Sequence, residues 1–116
     1  MIRWGDIWVA DLNPRQGTES GKVRPVLIIQ NQDLLDIAHP SVIVLPLTTN
    51  LIDDAYPLRW RVSAQEKLSQ DSDIMMDQVR SIDRQRLTQG PLAHLNESSM
   101  RTILKALCQL VNVSHA

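Results

Sequence analysis

The chain has 116 residues, 43% of them hydrophobic, enough for a single domain over residues 1–116 with a real core. Its formal charge of −1 excludes the broad positive surface of a protein that coats duplex DNA, so any nucleic-acid site has to be local. A lone cysteine, Cys108, excludes an internal disulfide, no apolar run approaches the ~18 residues of a membrane span, and MIRWGDIW lacks a signal-like apolar stretch; a cytosolic chain is predicted.

Asp6 to Leu12, DIWVADL, alternates like a strand, with Ile7 and Val9 on one face and Trp8 and Ala10 on the other. Asn13 to Lys22 gathers Pro14, Gly17 and Gly21 among polar residues and reads as a loop. Pro25 to Ile29 and Ser41 to Leu47 are β-branched apolar runs of the kind found in central strands, with a loop expected over Gln32 to Pro40. Leu58 to Val62 alternates so that Arg59 and Arg61 form one basic face. Ile74 to Ile82 is predicted as one further strand and Asp83 to Leu87 as a short turn or helix. Asn96 can cap a final helix whose apolar residues Met100, Ile103, Leu104, Leu107, Cys108 and Val111 form one buried stripe. Strands joined by short loops and closed by a single helix predict an α+β, mainly β fold or small barrel.

Three groups of side chains carry candidate chemistry. Glu19, Lys22 and Arg24 flank the glycine-bounded loop, and Pro25 biases Arg24 towards an extended backbone. A guanidinium held there can grip a phosphate with two donors, or it can pair with Glu19 at the surface; spacing alone does not decide. Thr48, Thr49 and Asn50 end an apolar strand, where hydroxyls either donate to a ligand or satisfy their own turn. In Asp77-Gln78-Val79-Arg80, Asp77 and Gln78 either tie loops together or contact a ligand, and Arg80 is the stronger contact candidate. His39, His94 and His115 are dispersed and read as ordinary solvated histidines, and no Walker loop, dinucleotide fingerprint or GxSxG elbow occurs, so neither metal nor nucleotide cofactor is expected.

Taken in order, GDIWVADLNP at 5–14, GTESGKVRPVLIIQN at 17–31, the PLT of Pro46 to Thr48 and DQVRSID at 77–83 resemble the MazF/PemK/Kid toxin family over most of the chain. The resemblance implies a small SH3-like barrel with a C-terminal amphipathic helix, a homodimer, a cognate antitoxin, and sequence-specific endoribonuclease activity. It places Arg24 and Thr48 at the family's catalytic arginine and threonine and Glu19 at the acidic loop position. Thr18, Lys22, Thr49, Asn50, Asp77, Gln78 and Arg80 then fall on the RNA-binding surface. Thr18 stands where Kid-like members carry histidine and Met75 where they carry arginine, so the acid–base assignment of that branch does not transfer.

For such an enzyme a metal-free route is expected: the ribose 2'-hydroxyl attacks the neighbouring phosphorus, Arg24 stabilises the charge that develops, Thr48 binds the phosphate, and Glu19 is the candidate base. Single-stranded RNA is the expected substrate. Trp4, Trp8, Tyr56 and Trp60 are either stacking partners or packing residues, with packing favoured because the chain has no Phe. Base preference is assigned to the loops Gln32 to Pro40 and Thr49 to Pro57. A gyrase poison of the CcdB kind, which shares the fold and cuts nothing, is the alternative.

Overall fold

A computed structural model describes residues 1–14, 16–19 and 21–113; His115 and the end of the VNVSHA segment lie outside the described residues. Seven strands, β1 (Asp6–Asp11), β2 (Val23–Ile28), β3 (Ser41–Thr48), β4 (Arg59–Val62), β5 (Ser72–Met75), β6 (Arg80–Asp83) and β7 (Leu87–His94), are joined by two α-helices, α1 (Gln32–Asp36) and α2 (Glu97–Leu110). Every strand pairing is antiparallel, and the strands run in the order β4-β5-β3-β2-β1-β7, with β6 attached to β3. The mainly β, α+β expectation agrees with this architecture.

Alternation along the central strands feeds two apolar clusters. Ile7, Leu27, Leu45, Leu47, Ile74 and Met76 pack with Met100, Ile103 and Ala106 of α2, while Ala10, Val26, Ile28, Val42, Val44 and Ile82 pack with Leu35 of α1. Helix α2 starts where the sequence places it: the Asn96 side chain accepts from the Ser99 amide at 2.9 Å, satisfying one of the free donors of the first turn. Its stripe ends earlier than expected. Leu104, Leu107 and Cys108 are half-buried and Val111, at the C-cap, is exposed.

Three expectations are corrected. The region 32–40 is not all loop, because Asn31 accepts from the Asp33 amide and caps α1, whose Leu35 reaches the core. The fold therefore has a second short helix.

Ile74 to Ile82 is not one strand. Had the pairing Leu47↔Ile74 continued, Val44 would face Asp77; it faces Arg80 instead, and a 3-10 turn over Met76–Gln78 absorbs the slip between β5 and β6. Strand β7, over a stretch to which the sequence reading assigns no element, tolerates Gly90 and Pro91 because it ends the sheet order and its pairing to β1 is broken by register shifts. Finally, β2 begins at Val23, so Arg24 belongs to the strand itself rather than to the mouth of the preceding loop.

Candidate active site

The loop before β2 is closed at its base by fixed polar contacts. Leu12 N donates to Lys22 O at 2.8 Å, Lys22 N donates to Asn13 Oδ1 at 2.8 Å, and Arg86 Nη1 donates to the carbonyls of Asp11 and Asn13 at 2.9 and 2.6 Å. Lys22 takes a positive φ of 71°, which turns the chain sharply into β2. The next residue but one is Arg24. Its Nε donates to Gly21 O at 3.0 Å and its Nη1 to Leu47 O at 3.4 Å, so the guanidinium lies against the end of β3.

Register explains why that end matters. Ala10 pairs with Arg24, and the β2–β3 pairing Val26↔Pro46, carried two residues on, sets Arg24 opposite Thr48. Thr48 pairs with Asp73, and Asp73 with Arg61. One row across the sheet thus runs Ala10, Arg24, Thr48, Asp73, Arg61. Thr48 is half-buried, and its Oγ1 accepts from the Asn50 amide at 3.1 Å, which orients the hydroxyl and leaves its proton available for a ligand.

Asp73 is only 1% exposed. Its Oδ1 accepts from Arg61 Nε at 2.9 Å, and its Oδ2 accepts from the Ile52 amide at 2.8 Å and from Arg59 Nη1 at 3.4 Å. Burial by itself disfavours the charged carboxylate. The Arg61 hydrogen bond, the Ile52 amide and the charges of Arg61 and Arg59 outweigh it, so the pKa lies below the ordinary aspartate value. Arg61 is held still more firmly protonated by Asp73 and Asp53. The basic face expected on β4 is therefore matched by carboxylates. Because Arg59 Nη1 also donates to Asn50 O at 3.1 Å, the Asp73 cluster fixes the turn that orients Thr48.

A cavity of ≈ 250 Å³ opens over this corner, lined by Lys22, Val23, Arg24, Pro25, Leu47, Thr48, Thr49 and Ser72. It unites four of the residues singled out from sequence: Lys22, Arg24, Thr48 and Thr49. Thr18, Glu19 and Asn50 are exposed outside its lining. Asp77, Gln78 and Arg80 do not line it either, since Arg80 faces Val44 near the middle of β3, well away from Thr48. Asp77 is exposed rather than buried. A larger concavity of ≈ 570 Å³ is lined by Ile52, Asp53, Asp54, Tyr56, Trp60 and the Arg59–Asp73–Arg61 cluster, among others. Its guanidinium groups already hold carboxylates, which makes it a poor seat for phosphate.

His94 departs from the solvated state expected of it. Its Nδ1 lies 2.8 Å from Oδ1 of the fully buried Asp6, which also accepts from the Arg3 amide at 2.9 Å and from Trp8 Nε1 at 3.4 Å. Trp4 and Trp60 pack against one apolar cluster and Trp8 against the other, while Tyr56 is 51% exposed and meets Trp60 edge-on at 6.3 Å.

A family model described as PemK-like, MazF-like toxin of type II toxin-antitoxin system matches residues 3–111. The chain belongs to that family. An endoribonuclease MazF of Staphylococcus epidermidis is 42% identical over 108 residues, 92% of this chain and 88% of that protein. Among solved structures, the Mycobacterium tuberculosis toxin MazF-mt6 superposes with a TM-score of 0.76 at 24% identity, covering 95% of this chain and 99% of that one. MazF of Deinococcus radiodurans gives 0.77 at 20% identity, covering 94% of each chain. MazE-MazF of the same organism gives 0.72 at 21% identity, covering 96% of each. In this PemK/MazF-type toxin, then, the Arg24–Thr48 corner sits on the family fold, and the α+β, mainly β assignment stands.

Sequence reasoning missed Asp73 and Ser72. Both look like ordinary polar residues at the start of a strand, and the only available signal was that Asp73 alternates in phase with Met75 and so had to face a buried side. Among the described residues, no group of three or more His, Cys, Asp or Glu is arranged to hold a metal ion, and no helix is long and apolar enough to cross a membrane.

Proposed function

We propose that this toxin is a metal-independent endoribonuclease that cuts single-stranded RNA at the Arg24–Thr48 corner. The observation that carries this is that Arg24, bonded to Leu47 O, and Thr48 line one cavity whose charged lining residues, Lys22 and Arg24, are both cationic. The S. epidermidis relative, an endoribonuclease, supports the same reading.

In the proposed reaction the 2'-hydroxyl loses its proton and attacks the adjacent phosphorus, the bond to the 5'-oxygen breaks as that oxygen takes a proton from water, and the products carry a 2',3'-cyclic phosphate and a 5'-hydroxyl. The nucleophile belongs to the substrate, so alignment supplies much of the acceleration. Arg24, held by Gly21 O and Leu47 O, presents its charge to the phosphate oxygens, where charge accumulates in the transition state. Thr48 donates its hydroxyl proton to a non-bridging oxygen while the Asn50 amide fixes its direction. Arginine is a poor base because its guanidinium stays protonated. Glu19, on the exposed loop leading into β2, is the proposed proton acceptor. Lys22 and Thr49 complete the RNA contacts inside the cavity, with Thr18, Asn50, Asp77, Gln78 and Arg80 as contacts of a longer strand.

The working form is proposed to be a cytoplasmic homodimer neutralised by a cognate antitoxin; a mycobacterial endoribonuclease in complex with its cognate antitoxin and MazE-MazF of Deinococcus radiodurans share the fold. The test is primer extension on a long RNA incubated with purified protein in EDTA, with end-group analysis of the fragments. Arg24→Ala should slow cleavage by about 100- to 1,000-fold, the loss typical of removing one transition-state donor. Undiminished cleavage by that variant, or loss of cleavage on chelation, overturns the proposal.

A further inference from the structure

A second cavity of ≈ 210 Å³ adjoins the first and shares Pro25, Thr49 and Ser72 with it; its other lining residues are Lys67, Leu68, Ser69, Gln70 and Leu92. The two form one trough with Arg24 and Lys22 near one end and Lys67 at the other. We infer that the Lys67 end is a nucleotide subsite, in which Pro25 and Leu92 support the base next to the scissile phosphate, Gln70 and Ser69 meet its polar edge, and Lys67 holds the following phosphate. This inference rests on the ribonuclease reading and adds to it the residues that set part of the cleavage sequence.

Charge singles this trough out. Its described lining contains Lys22, Arg24 and Lys67 and no carboxylate, whereas three other concavities are lined by Asp53, Asp54 and Asp73, by Asp33, or by Asp11 and Asp83. In a chain of net charge −1, a path carrying positive charge alone is where a polyanion lies at least cost. A splayed single strand, whose bases are unstacked, can present one base to the apolar floor and its phosphates to the cations.

The far end is also rigid. Gln65 and Leu68 exchange backbone hydrogen bonds at 3.0 and 2.8 Å, and Lys67 N donates to Leu92 O at 2.7 Å. The Glu66 carboxylate accepts from the His94 amide at 3.0 Å, and Ser72 Oγ donates to Gln70 O at 3.0 Å. Lys67, Ser69 and Gln70 are themselves exposed, so their side chains are free of core packing while their backbone is pinned beside β7. A site built this way reads a base without first ordering a loop.

The experiment compares wild type with Lys67→Ala and Gln70→Ala on an RNA pool randomised around the cut, read by sequencing of the 5'-hydroxyl ends. Melting temperatures of each variant control for folding. The expected result is loss of base preference at one position flanking the cut with the other positions retained, and a roughly tenfold fall in kcat/KM carried by KM. In the slowly cleaving Arg24→Ala background, adding Lys67→Ala should lower the slope of log affinity against log salt, measured with a fluorescent single-stranded RNA before appreciable cleavage, by about 0.7, the value for one phosphate contact. Unchanged preference at every position together with an unchanged slope overturns the subsite while leaving the nuclease intact. Wild type that cuts no RNA defeats the nuclease reading instead, and an unchanged salt slope would then defeat the subsite as well.

Discussion

Replacing Asp73 by alanine tests the proposed link between the buried carboxylate and the turn that orients Thr48. The substitution removes the acceptor of the Ile52 amide at 2.8 Å and of Arg61 Nε at 2.9 Å, and it leaves Arg59 and Arg61 facing each other's charge. Removing one partner of a fully buried pair costs roughly 3–5 kcal/mol. Here the Arg59 and Arg61 side chains are 18% and 39% exposed and Asp53 still holds Arg61, so water and the second carboxylate recover part of that. The expected loss is about 2–3 kcal/mol, against a total of roughly 6–17 kcal/mol for a chain of this length. Urea unfolding followed by tryptophan fluorescence reads it as a midpoint lowered by about 1–2 M at an unchanged slope. Asp73→Asn keeps an oxygen for Ile52 and loses only the charge, so its midpoint should fall between the two. An Asp73→Ala midpoint within about 0.3 M of wild type would refute the assignment of Asp73 as the anchor of this corner.

Three further outcomes are expected. Asp73 has a depressed pKa in the folded chain, so its contribution is fully present above the ordinary carboxylate value of about 3.9 and is lost as pH falls through the lower folded value. The urea midpoint of wild type should accordingly drop more steeply below about pH 4 than that of Asp73→Asn, and parallel pH profiles would contradict this. Gly5 has φ 94° and an added Cβ would lie 2.9 Å from Leu95 O, so Gly5→Ala should cost about 1–3 kcal/mol in the same assay. Asn96→Ala removes the α2 cap seen at Ser99 N and should cost about 1 kcal/mol, visible in the same urea titration as a smaller shift.

What the sequence made legible follows from how local each signal is. PVLII and SVIVLPL announce buried strands because their apolar, β-branched content suits burial on both faces, and Asn96 announces a helix because a cap acts within one turn. Gly90 carries no such local signal. A Cβ there would meet the Trp8 ring at 2.4 Å, so the glycine answers a strand-to-strand approach across β1 and β7, not a turn. The split of Ile74 to Ile82 is likewise invisible locally, because it depends on β3 accepting two partners along one edge in different registers. Arg24 and Thr48 were found as residues, but their adjacency is a fact of register. Asp73 was lost because its meaning lies entirely in Arg59, Arg61 and Ile52, which reach it through tertiary pairing.

The distribution of charge shows how a nearly neutral chain can offer an RNA site. Arg59 and Arg61 could have made a second basic surface beside Thr48, yet Asp73 and Asp53 neutralise them and turn them into supports for the 50–53 turn. Arg86 is likewise directed to backbone carbonyls at the base of the loop before β2. Lys22, Arg24 and Lys67 instead line the trough, with no carboxylate among its described residues. Few phosphates can be engaged along so short a path, so electrostatics fixes position and contributes modest affinity, while hydrogen bonds to base edges have to supply discrimination. That division suits an enzyme whose proposed catalytic pair is held by backbone: Arg24 by Gly21 O and Leu47 O, Thr48 by the Asn50 amide. In the proposed subsite, changes at Lys67 or Gln70 retune which RNA is cut without disturbing the proposed catalytic corner.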